Sequence, residues 1–144
     1  ANRTLIGPTN QRSTGHVFLA TCLAAWLQVW VTALVVVHLL ALLQIARRTE
    51  SGWRPRYEAI AIITSFVLSA AFMGWLFEQV GYVRLLGLPH LIFWTPVYAW
   101  MVIRVRQLGV SSLFGKYLVL YLAVAGISLV IDAVDATRHL LGVG

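Results

Sequence analysis

The sequence predicts an all-α integral membrane protein, a bundle of four transmembrane helices running up, down, up and down. Of its 144 residues, 60% are hydrophobic and only 11% charged, against the roughly 25% charged usual in soluble domains. The apolar residues fall into four runs separated by short polar connections. A soluble domain of this composition would lack the polar surface to cover itself. Length, with no internal repeat and no low-complexity segment, predicts a single domain.

Residues 1–16 form a polar N-terminal segment with Arg3, Arg12 and His16. The first helix is expected at about 17–46, broken only by Thr21, Gln28, Thr32, His38 and Gln44. That run is about twice the length of a signal-peptide core, so it is expected to remain as a membrane span. It exceeds the roughly 20 residues needed to cross the hydrocarbon, which predicts tilt or protrusion. Arg47 and Arg48 stop it. The following RRTESGWRPRY segment reads as a short loop with interfacial Trp53 and Tyr57, and Pro55 sits near the first turn of the next helix.

The second helix is expected at about 57–80, with no interior charge before Glu78. Gly81 to Gly87 is a tight connection, and Pro89 opens a third helix at about 88–105, where Pro96 is expected to bend the axis near Ile92. After the polar QLGVSSLFGK stretch, the fourth helix is expected at about 116–140. Short connections make neighbouring helices antiparallel. The first and third connections hold Arg47, Arg48, Arg54, Arg56, Arg104, Arg106 and Lys116, and the other side holds Arg3, Arg12, Arg84 and Arg138. By the positive-inside rule the chain is multi-pass in a cell membrane, a bacterial inner membrane in type, with both termini non-cytoplasmic.

The net charge is +6. Because the basic residues cluster at the ends of apolar runs, membrane lipids are the expected partners and nucleic acid is not. The lone Cys22 excludes an intramolecular disulfide or a cysteine-rich metal site, and is expected to be a small buried side chain.

Polar chemistry concentrates on the fourth helix. Tyr117, Tyr121, Ala125, Ser128, Asp132, Asp135 and His139 recur at steps of three and four and share one face. The opposite face, with Leu118, Leu122, Leu129 and Val130, suits lipid. A carboxylate at the bilayer centre costs roughly 2.5 to 3.5 kcal/mol, so Asp132 and Asp135 need partners or water. Asp135 can pair with His139 at i, i+4. Alternatively Glu78, His90, Asp132, Asp135 and His139, with His16 and Arg84, form an outer belt able to bind an ion, a proton or a ligand.

Other faces are less charged. His90, Trp94 and Tyr98 give the third helix an aromatic stripe suited to packing, and Thr64, Ala71, Gly74 and Glu78 give the second a face suited to close helix contact. Gln28, His38 and Ser128 are the intramembrane polar candidates. His38 lies on a different face from Gln28 and Thr32 and has no obvious partner in its own helix. It is expected nearer the inner side, with His16, His90 and His139 outer, which makes b-haem ligation across histidines geometrically poor.

No GxSxG, HExxH, P-loop or glycine-rich dinucleotide motif is present. The leading expectation is a non-enzymatic protein without a cofactor, either an ion-conducting homo-oligomer or an accessory subunit among other membrane chains. The alternative is a redox protein holding a divalent metal or b-haem in the outer belt. A lipid-interacting protein is a third option.

Overall fold

The structure is a computed structural model that describes residues 10–81 and 87–142, with side chains from residue 21 onward. It is predominantly helical. Helix α1 spans Asn10–Leu40 and is followed by a 3-10 turn at Leu42–Gln44. Strands β1 (Ala46–Thr49) and β2 (Gly52–Pro55) come next, then helices α2 (Tyr57–Val80), α3 (Leu88–Leu108) and α4 (Leu113–Leu140). Among the described residues three segments are long and apolar enough to cross a membrane: Thr21–Gln44, Tyr57–Val80 and Leu113–Leu140. Helix α3 has the length, but its prolines, His90, Arg104 and Arg106 dilute its hydropathy.

The chain divides into two units, residues 1–33 and 34–144. In the first, α1 carries stacked Trp26 and Trp30, with centroids 5.9 Å apart, and the Thr32 hydroxyl donates to the Gln28 carbonyl at 2.7 Å. Gln28 is exposed, and so is Cys22, contrary to the expectation of burial. Its side chain is small and apolar enough to face lipid, so hydropathy alone did not assign it to an interior.

In the second unit, α3 packs against both α2 and α4. Contacts run in opposite order along each pair: Glu58 meets Arg104 and Phe72 meets Phe93, while His90 meets Asp132 and Gly126 backs onto Tyr98. Both pairs are therefore antiparallel. A Cβ on Gly126 would lie 2.7 Å from the Tyr98 phenol oxygen, so any side chain there would push the Tyr98 ring aside. Local chemistry sets the helix ends. The Ser112 hydroxyl caps α4 by accepting from the Gly115 amide at 2.9 Å, and Gly81 and Gly109, at φ +72° and +69°, end α2 and α3.

Three expectations are corrected here. The segment after Arg47 is an antiparallel hairpin rather than a loop, pairing Ala46 with Pro55 through Thr49 with Gly52. Glu50 and Ser51 make its two-residue turn, Gly52 takes φ +109°, and the Thr49 hydroxyl donates to the Gly52 carbonyl at 2.7 Å. Leu118, expected toward lipid, is wholly buried, because the inner face of α4 is wide enough to include it beside Tyr117 and Tyr121. The inner face of α2 is Ala59, Ile62, Ser65 and Ser69, whereas Thr64, Ala71, Gly74 and Glu78 are exposed. Both faces of α2 contain small residues, so residue size did not reveal which one packs.

Candidate functional site

The interior of the second unit is built around His38, in the last turn of α1. Its imidazole is fully buried and ringed by aromatic side chains from all three other helices: Phe66 of α2 at 4.7 Å, Trp94 of α3 at 4.4 Å and Tyr121 of α4 at 5.5 Å between centroids. These positions follow from periodicity. Tyr117, Tyr121, Ala125 and Ser128 lie on the buried stripe of α4, as the spacing of the sequence predicts, and Leu118 joins them there against expectation. One turn earlier the Tyr117 hydroxyl donates to the Val37 carbonyl at 2.9 Å, tying the end of α1 to α4.

His38 does have a partner in its own helix, contrary to expectation. Its Nδ1 lies 2.7 Å from the Leu34 carbonyl oxygen. A carbonyl can only accept, so Nδ1 carries the proton and Nε2 presents a lone pair. That Nε2 is buried with no hydrogen-bond partner, as are Trp94 Nε1, Tyr121 Oη and Ser69 Oγ. A buried polar atom left unmade costs about 1–3 kcal/mol. Here one lone-pair base adjoins the indole and phenol that could donate.

Trp94 is shared. On its other contact it meets His90, one turn earlier on α3, with centroids 4.2 Å apart. His90 Nδ1 in turn lies 2.9 Å from Asp132 Oδ2 of α4, with both side chains about one-fifth exposed. The Asp132 carboxylate also sits against the start of α3, where a Cβ on Gly87 would come within 2.6 Å of Oδ1. The positive end of the helix dipole favours a carboxylate there. His38, Trp94, His90 and Asp132 thus form a continuous column from the core to the end of α4. The depth separation expected between His38 and His90 is bridged by a single indole.

The rest of the expected outer belt is not drawn together. Glu78 and His139 are exposed, Asp135 is half-buried, and none makes a hydrogen bond or ion pair among the described residues, the proposed Asp135–His139 pair included. Among the described residues no three His, Cys, Asp or Glu side chains converge as a metal site. The side chain of His16 and all of Arg84 lie outside the described residues. Ser128 is buried on the inner stripe, where it has an interaction of its own.

One pair went unpredicted. At the opposite end of α3, Arg104 donates to Glu58 Oε1 through Nε at 2.8 Å and Nη2 at 2.5 Å, and through Nη1 to Gln107 at 2.7 Å. The signal was available: a carboxylate in the first turn of α2 and an arginine near the end of α3 meet once those helices are antiparallel. No family model, curated protein or solved structure matches this chain.

Proposed function

We propose that the chain is a polytopic, non-enzymatic membrane protein that crosses the bilayer four times, with both termini outside, and conducts protons through the His38–Asp132 column. One observation carries this reading: a fully buried histidine presents a lone pair with no partner and lies one indole away from a histidine–aspartate pair. Imidazole is the side chain whose ordinary titration falls near neutral pH, and Asp, Glu and His side chains together build the proton relays of membrane pumps and transporters. Trp94 Nε1–H can donate but not accept. Transfer between His38 and His90 therefore needs a mediating group, and the unpartnered Nε2, Nε1 and Oη atoms offer the polar partners a water would use.

The fourth crossing is supported by the length of α3 and its antiparallel packing between two apolar helices. Its basic end lies with the Arg-rich hairpin, and its histidine end with Asp132. Seven basic residues on the first and third connections favour that side as cytoplasmic. The exposed Thr64, Ala71 and Gly74 face of α2 suits close contact with a second copy or another membrane subunit.

The test is proton flux in proteoliposomes carrying a trapped pH dye. The native chain should dissipate an imposed gradient, and Asp132→Asn and His38→Gln should each reduce the flux toward that of empty vesicles. Native flux no greater than that of empty vesicles, or full flux in both variants, sinks the proposal.

A further inference from the structure

Where the hairpin meets the helix ends, an open cavity of about 810 Å³ carries four guanidinium groups, from Arg47, Arg54, Arg56 and Arg104, against one carboxylate, Glu58. That carboxylate is engaged by Arg104. Arg56 lies 3.8 Å over the Phe114 ring and donates to the Gln44 side-chain oxygen at 3.3 Å. Arg47 and Arg54 are left over. They stand directly opposite each other across the hairpin, yet neither meets a carboxylate among the described residues, and Arg54 Nε has only the Ser51 hydroxyl at 3.3 Å. Like charges in that position repel and weaken the pair. An anion held between them would turn the same geometry into an attraction.

The planar fork of arginine matches phosphate oxygens in pairs. The cavity's surroundings add a depth and a second wall. Tyr57 lines it at 68% exposure, a ring of the kind that favours head-group level. Leu108, Leu113 and Phe114 line it with apolar surface. A polar anion alone would use only the first wall, whereas an amphiphile uses both.

We infer that this cavity binds a phosphate group, supplied by the head group of an anionic phospholipid. The inference rests on the chain lying in a membrane but not on proton conduction. The full-length chain in neutral detergent is titrated with phosphatidylglycerol, with phosphatidylcholine of equal chain length and with inorganic phosphate, and binding is read by native mass spectrometry. Phosphatidylglycerol should bind in preference to phosphatidylcholine. The Arg47→Gln/Arg54→Gln variant should weaken it by about tenfold or more, since each arginine lost removes a charge-assisted hydrogen bond to the phosphate. Arg48→Gln/Arg106→Gln removes the same charge from residues that do not line the cavity and should leave binding unchanged.

Equal loss in both double variants, or no preference between the lipids, overturns the site. Inorganic phosphate binding as tightly as the lipid, with the same dependence on Arg47 and Arg54, keeps the phosphate chemistry and overturns the lipid source. Proton flux measured on the same variants separates this inference from the conduction reading.

Discussion

His38 shows at the scale of one residue why a polar group persists in an apolar interior. Its Nδ1–H is satisfied by a turn of its own helix, while Nε2 faces an indole and a phenol without bonding to either. For packing alone, an apolar ring would serve better, since replacing an unsatisfied buried group by one of similar shape is neutral or stabilising. His38→Phe is therefore expected to leave thermal unfolding in detergent unchanged or raise stability by about 1 kcal/mol, while abolishing proton flux. A marked loss of stability would instead assign His38 a structural role. The residue was visible in the sequence as a lone polar position, but its neighbours were not. Phe66, Trp94 and Tyr121 come from three other helices and share no local pattern with it.

At the scale of elements, legibility followed periodicity. The stripe from Tyr117 to Ser128 was readable because a 3.6-residue repeat imposes one face, and that face is buried. On α2 the same reasoning chose the exposed side, because in lipid the outside of a helix is as apolar as its inside. The hairpin was hidden because its strands are charged and do not alternate. Its signal was the Thr49-Glu50-Ser51-Gly52 turn between two short extended segments. The Glu58–Arg104 bridge locks α2 to α3 just beyond this hairpin. Since Glu58 is nearly buried and Arg104 is one-third exposed, Glu58→Ala is expected to cost about 2 kcal/mol, below the range for a fully buried pair. Urea or thermal unfolding in micelles measures it, and a change under about 0.5 kcal/mol would place the pair among surface bridges.

The whole molecule turns on whether α3 crosses. If all four helices span, the hairpin and the end of α4 lie on opposite sides of the membrane. If α3 is only embedded, they lie on the same side. With Cys22 replaced by serine, Ser51→Cys and Leu141→Cys should react with an impermeant maleimide from opposite faces of sealed vesicles, Ser51→Cys from the cytoplasmic one. Labelling of both from one face would remove the fourth span and the proposed orientation together.

Composition and hydropathy by themselves set the expectation of a membrane protein, and three of the described helices are long and apolar enough to cross a bilayer. Periodicity determined the inner stripe of α4, and charge determined the expected orientation. Tertiary structure alone decided that His38 and His90 share one tryptophan, that among the described residues only Asp132 of the outer acids meets a histidine, and that Arg47 and Arg54 line a common cavity. The reason is physical: hydropathy and helical repeat act within one segment, whereas these meetings depend on the rotation and depth at which separate helices pack.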